Sequence, residues 1–162
     1  ILAKYFKEKQ LDDLVIVSPD HGSVTRARNL AQYLNCPIAS IDKRRPEPNK
    51  SEIVNIIGNI EGRNCIIVDD MIDTAGTICN AANAIKNLGA KAVFAGATHA
   101  VLSGPAIDRI KESAIEEMVL LNTVPLADEK KLDKMTFLSV APLFAEAMTR
   151  VFTNGSISVL FD

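Results

Sequence analysis

Short apolar runs rich in β-branched residues alternate along this chain with segments of helical period, and that alternation restricts the fold more than any other feature. Residues 14–18 (LVIVS), 37–41, 65–68, 91–98, 118–122 and 137–140 read as strands. Residues 24–34, 74–88 and 142–152 read as helices, as does a short segment opened by Gly104 and Pro105 and running to 111. Gly89 stands where a C-terminal glycine would end the 74–88 helix. Residues 1–9 lack the apolar core and cleavage site of a signal peptide and read as the tail of a helix begun before Ile1, so the chain reads as a fragment. The stretch 44–50 (RRPEPNK) has two prolines and clustered charge, which predicts a mobile loop; 51–60 fits no single pattern. Strands separated by helices imply βαβ units, hence one α/β domain with a parallel sheet covered on both faces.

Composition excludes several classes. A chain of 162 residues can bury a sizeable core. A formal net charge of −2 gives no footprint for nucleic acid or an anionic membrane. No apolar run approaches the roughly 20 residues that span a bilayer. Cys36, Cys65 and Cys79 form no CxxC pair, so reduced thiols in a cytosolic protein are expected, with neither a disulfide framework nor a zinc site.

Chemistry concentrates in the run Val68-Asp69-Asp70-Met71-Ile72-Asp73-Thr74-Ala75-Gly76-Thr77, which leaves a strand and enters a helix. Ligands of open α/β sheets bind beyond the carboxyl ends of strands. Small residues at 75 and 76 let backbone N–H groups close on a phosphate, and Thr74 and Thr77 add hydroxyl donors. Asp69 and Asp70 would repel a phosphate, but two adjacent acceptors suit the vicinal hydroxyls of a ribose, directly or through a metal. The alternative is that Asp70 or Asp73 caps the helix.

A second strand–loop–helix unit, SPDHGSVTRAR (18–28), has Gly22 and Ser23 small enough for an anion to approach the backbone. Asp20 is placed to bind Mg²⁺, a hard cation preferring oxygen; alternatively it closes a tight turn. Beyond it, 41–46 (IDKRRP) supplies cations. Lys43 offers a compact ammonium and Arg45 a planar fork, or the segment is a solvated basic loop.

These segments carry a resemblance. VDDMIDTAGT is similar to the ribose-5-phosphate loop of type I phosphoribosyltransferase-fold proteins, especially ribose-phosphate pyrophosphokinases. SPDHGSVTRAR resembles that family's SPD-x-GG-x-x-RAR segment, and IDKRRPEPN its catalytic flexible loop. The likeness continues through SEIVNIIGNIEG, THAVLSGPAIDRI, LSVAPLFAEAM and SISVLF, covering essentially the whole chain.

The resemblance implies a type I phosphoribosyltransferase-like fold and transfer of diphosphate from Mg-ATP to the C1 hydroxyl of ribose 5-phosphate. By the same likeness Asp69 and Asp70 hold sugar hydroxyls, and Asp73, Thr74, Ala75, Gly76 and Thr77 hold the 5-phosphate. Asp20, His21, Gly22 and Ser23 cradle the diphosphate, with Asp20 on Mg²⁺, and Lys43 and Arg45 are catalytic. Ser23 replaces the family's usual second glycine, so a left-handed backbone there would be strained. Ser156, Ser158 and Phe161 match tail positions where the family binds ADP or phosphate between subunits; an ordinary last strand or frayed end is the alternative.

In the family this domain is the second of two in a cytoplasmic, hexameric subunit. The first supplies most of the adenine pocket, partly from a neighbouring subunit, and a metal-binding histidine, so residues 1–162 alone are expected to be inactive. His99 reads as a structural histidine. Two other readings stay open: a non-catalytic synthetase-associated regulatory subunit, and a phosphoribosyltransferase, although ordinary members of the latter lack the KRRP arm.

Overall fold

The computed structural model describes residues 1–20, 22–44 and 53–161, with the side chains of 43, 44, 53 and 54 outside that description. In chain order the elements are α1 (Leu2–Glu8), β1 (Leu14–Ser18), α2 (Val24–Leu34), β2 (Ile38–Arg44), β3 (Ile53–Ile57), β4 (Asn64–Ile72), α3 (Gly76–Asn87), β5 (Ala92–Ala100), α4 (Ala106–Glu112), β6 (Glu117–Leu121), β7 (Met135–Leu138) and α5 (Ala141–Phe152). Single 3₁₀ turns lie at Asp128–Lys130 and Ser158–Leu160.

Seven strands form one sheet in the order β3-β2-β1-β4-β5-β6-β7, parallel throughout except for β2 against β3. Side chains alternate along each strand, so the sheet needs cover on two faces. On one face Val15, Val17, Cys65, Ile67 and Val93 pack with Ile78, Ala82 and Ile85 of α3. On the other, Ile16, Ile66, Val68 and Phe94 pack with Phe6 of α1 and Ala27 and Ala31 of α2. Small alanines on α2 and α3 let both helices lie close to the sheet. Helix α3 ends as its sequence implies: Gly89 has φ +95°, its N–H donates to Lys86 O at 3.1 Å, and Ala90 N–H donates to Ile85 O at 3.2 Å.

Several boundaries differ from the sequence reading. Strand β4 continues past Val68 to Ile72, because Asp69, Met71 and Ile72 pair with Ala97, His99 and Ala100 of β5. Strand β2 continues to Arg44, and the ambiguous 51–60 region contains β3, in register Lys43↔Val54 and Arg44↔Ile53. Lys43 is thus carried on a paired strand and not on a free arm; 45–52 lie outside the described residues. Strand β7 begins two residues earlier than expected. Helix α5 forms as predicted, yet no residue in it or in the following 3₁₀ turn is buried.

One polar cluster ties α1 and the Lys9 that follows it to β6 and β7. The Tyr5 hydroxyl donates to Glu117 Oε1, as does Thr136 Oγ at 2.6 Å, and Lys9 Nζ lies 2.6 Å from Oε2. Burial raises the Glu117 pKa, but the donors from Lys9, Thr136 and Tyr5 together outweigh it and hold the carboxyl below its ordinary 4.5. The folded state therefore binds this proton more weakly than the unfolded one. Stability from Glu117 is full above the ordinary glutamate range and is lost as pH falls through the depressed value. Glu117→Gln is expected to lower unfolding free energy by about 1–3 kcal/mol at neutral pH. Denaturant midpoints measured from about pH 6 to pH 3 should fall less steeply in the variant than in the wild type.

Candidate functional site

The strand order places the two motif loops together. From β1 the chain crosses through α2 to β2 on one side; from β4 it crosses through α3 to β5 on the other. The two helices cover opposite faces, so the segments leaving the carboxyl ends of adjacent β1 and β4 diverge and open a crevice between them.

After β4, Asp73, Thr74 and Ala75 make the turn into α3. Ala75 is the N-cap, with φ +59° and ψ +7°, and no side chain caps the helix. The capping role considered for Asp70 or Asp73 is therefore absent. The first N–H groups of α3 have no partner within the helix, whose opening backbone bond runs from Cys79 N–H back to Ala75 O at 3.1 Å. A cavity of about 170 Å³ faces them, lined by Asp69 and residues 71–78. Uncapped N–H groups, the positive end of a helix and a small cavity form an arrangement suited to one phosphate. Ala75 is buried in a left-handed conformation disfavoured for any residue with a Cβ; such strain concentrates at ligand clamps.

Asp69 and Asp70 are held by Arg26, to which the sequence alone attaches no role. Arg26 Nη1 lies 2.9 Å from Asp69 Oδ1 and Nη2 3.0 Å from Asp70 Oδ2, so one guanidinium fork spans both carboxylates. Arg26 Nη1 also donates to Ser23 Oγ at 3.3 Å, and Ser23 Oγ donates to Asp69 Oδ1 at 3.4 Å. The first loop is thereby wired to the acidic pair. Burial pushes the Asp69 carboxyl up from the ordinary carboxylate range, whereas its hydrogen bond with Asp69 and the Arg26 charge hold Asp70 down. Of the two, Asp69 protonates first on acidification.

Ser23 is buried with φ −91° and ψ 0°, so the left-handed strain expected there is absent. It is the N-cap residue of α2. Its N–H donates to Asp20 Oδ1 at 2.8 Å, and Ser18 Oγ donates to Asp20 O at 2.6 Å. Asp20 thus closes the turn, as the alternative reading had it, while its Oδ2 has no hydrogen bond among the described residues. A carboxylate oxygen is the donor type that Mg²⁺ takes, so Asp20 fits such an ion in kind. No cluster of three or more acidic, His or Cys side chains suited to a metal occurs among the described residues. Gly22 lies in this loop; His21 and Arg45 lie outside the described residues, as does the Lys43 side chain.

His99 Nδ1 lies 2.9 Å from Thr123 Oγ, which donates its single proton to Thr98 O at 2.6 Å. Thr123 must therefore accept from His99, which places a proton on Nδ1 and ties β5 to the segment after β6. Ser156 and Ser158 share a hydrogen bond of 2.7 Å where the chain enters the Ser158–Leu160 3₁₀ turn, with no strand there, and Phe161 is 83 % exposed. All three cysteines are free, Cys65 and Cys79 buried, with burial pushing the Cys65 thiol up to about 12.

A mostly parallel sheet whose order turns at β1 and β4, with an uncapped helix behind an acidic strand end, defines a phosphoribosyltransferase-type α/β fold. A hypoxanthine-guanine phosphoribosyltransferase from Bacillus anthracis matches at the level of fold alone, with TM-score 0.50 and 18 % identity over 84 % of this chain and 71 % of that one. A phosphoribosylpyrophosphate synthetase from Mycobacterium smegmatis superposes with TM-score 0.87 at 42 % identity, over 95 % of this chain and half of that one. Residues 45–162 match the model of the phosphoribosyl synthetase-associated domain, and the chain belongs to that family. Ribose-phosphate pyrophosphokinases from Halalkalibacterium halodurans and Bacillus caldolyticus are 62 % and 61 % identical to it over its whole length. The chain spans 51 % of the length of each.

Proposed function

We propose that this chain is the C-terminal, sugar-phosphate-binding half of a ribose-phosphate diphosphokinase subunit. The observation that carries the reading is the Arg26 fork across Asp69 and Asp70, which joins the acidic strand end to the Ser23 loop in one crevice.

In this reading the uncapped amides at the head of α3, with Thr74 and Thr77, hold the 5-phosphate of ribose 5-phosphate. Asp69 and Asp70 accept hydrogen bonds from its vicinal hydroxyls, with Asp73 at the turn between sugar and phosphate. The 20–23 loop cradles the diphosphate of ATP, and Asp20 holds Mg²⁺ alongside the substrate oxygens. The metal, when bound, neutralises phosphoryl charge. The C1 hydroxyl oxygen bonds to the β-phosphorus and gives up its proton to solvent, as the bond from the β-phosphorus to the α,β-bridging oxygen breaks and that oxygen leaves with AMP. Lys43 and Arg45 stabilise the charge that builds between those oxygens.

The adenine pocket belongs, on this view, to the other half of a subunit of the relatives' length. Assembly is a cytoplasmic homo-oligomer, a hexamer by family likeness, and Ser156, Ser158 and Phe161 contribute to an ADP or phosphate site between subunits. AMP formation dependent on ribose 5-phosphate tests the assignment. A full-length subunit containing this chain should show it and residues 1–162 alone should not. Release of pyrophosphate that requires a nucleobase would favour a phosphoribosyltransferase instead.

A further inference from the structure

The segment between β5 and α4 contacts the phosphate loop from behind, at three consecutive residues. Val101 and Leu102 N–H donate to Ile72 O at 3.1 and 3.0 Å, and Ser103 N–H donates to Asp73 O at 3.0 Å. The Ser103 hydroxyl donates to Asp73 Oδ1. Arg109, from the second turn of α4, donates through Nη1 to Thr74 O at 3.0 Å. The carbonyls of 72, 73 and 74 are thus all engaged from one side, which leaves the following N–H groups to head α3.

Two further observations point the same way. Buried Leu102, within this contact, sits at φ +49°, and Ala75, one residue beyond it, at φ +59°. Gly76 has no positive φ, so its backbone does not demand glycine. A Cβ there would instead lie 3.3 Å from Arg109 Nη1, tight against the guanidinium.

The geometry points to Ser103 and Arg109 as positioning residues for phosphate recognition. They hold the carbonyls and Asp73 of the turn so that the amides of 74–77 present a preformed cradle. Neither is required to touch the sugar. This rests on the proposed binding of ribose 5-phosphate and adds the residues that shape its site.

The test is steady-state kinetics in a full-length subunit carrying this chain, with Arg109→Gln, Ser103→Ala and Ser103→Thr. Arg109→Gln should raise KM for ribose 5-phosphate about tenfold while KM for ATP stays within about twofold, because only the phosphate cradle loosens. Ser103→Ala should shift it about threefold in the same direction, and Ser103→Thr, which keeps the hydroxyl, should restore it. Thermal midpoints without substrate, read alongside, separate a positioning effect from a folding defect. An unchanged KM for ribose 5-phosphate in Arg109→Gln overturns the inference, as does an equal rise in both KM values. A wild type that does not use ribose 5-phosphate at all overturns the underlying function instead.

Discussion

Replacing Lys43 with alanine in a full-length subunit should lower turnover about a thousandfold while leaving KM for ribose 5-phosphate within about threefold. Diphosphoryl transfer asks little covalent chemistry of the protein. Its barrier falls mainly through charge placed against the attacking and leaving oxygens, and one such donor contributes about 2.7–4 kcal/mol. Lys43 is suited to that task because its backbone is anchored: β2 pairs with β3 at Lys43↔Val54, next to the 45–52 stretch. A backbone already paired in a sheet avoids part of the ordering cost of a free arm. Lys43→Arg keeps the charge but spreads it over a planar fork, so it should recover only part of the loss. Turnover within tenfold of wild type in Lys43→Ala would remove Lys43 from the chemistry. It would also favour the regulatory-subunit reading, in which there is little catalysis to lose.

Arg26→Ala should weaken binding of ribose 5-phosphate by about 10- to 100-fold, the range expected when a charge-assisted hydrogen-bonded partner of about 1.5–3 kcal/mol is removed. Without the guanidinium, Asp69 and Asp70 face one another with no cation between them, and the Ser23 link is weakened. The sign of the pH effect follows. Arg26 lowers both carboxyl pKa values, so its removal raises them, and the acid limb of kcat/KM should move to higher pH. Arg26→Lys supplies one cation without the fork and should fall between the two. Calorimetry with ribose 5-phosphate and a pH–rate profile measure these effects; identical affinity and an unshifted acid limb in Arg26→Ala would refute the coupling.

Much of this was legible in the sequence because the sheet is buried on both faces. Strands such as Leu14–Ser18 then read as continuous apolar runs, and the helix Val24–Leu34 appears at its full length. What failed to show was strand made of polar residues. Asp69 and Asp70 continue β4 because β5 keeps pairing beside them, a long-range fact that hydropathy does not encode. The same applies to Asp42, Lys43 and Arg44, which are strand only because β3 returns antiparallel to meet them.

The site was half readable. Small and acidic residues at a strand end marked the loop proposed to hold phosphate, but the expected strain fell on the wrong residue. Ser23, in place of a glycine, is relaxed, and Ala75 carries the positive φ. Arg26 passed unassigned because an arginine on an amphipathic helix reads as a solvated face. Its position one turn after Ser23 was the available signal. Ser103 and Arg109 gave none: their partners lie 30 and 35 residues earlier in the chain.

Under the proposed function, ribose 5-phosphate binds across Asp69, Asp70 and the amides that open α3. Titrating it into ¹⁵N-labelled protein tests this most directly. Saturable shifts should centre on the amides of Thr74, Ala75, Gly76 and Thr77 with those of Asp69 and Asp70, and should be lost in an Asp69→Asn, Asp70→Asn variant that remains folded. Saturation with these amides unmoved, or shifts confined to the tail around Ser156 and Ser158, would contradict it.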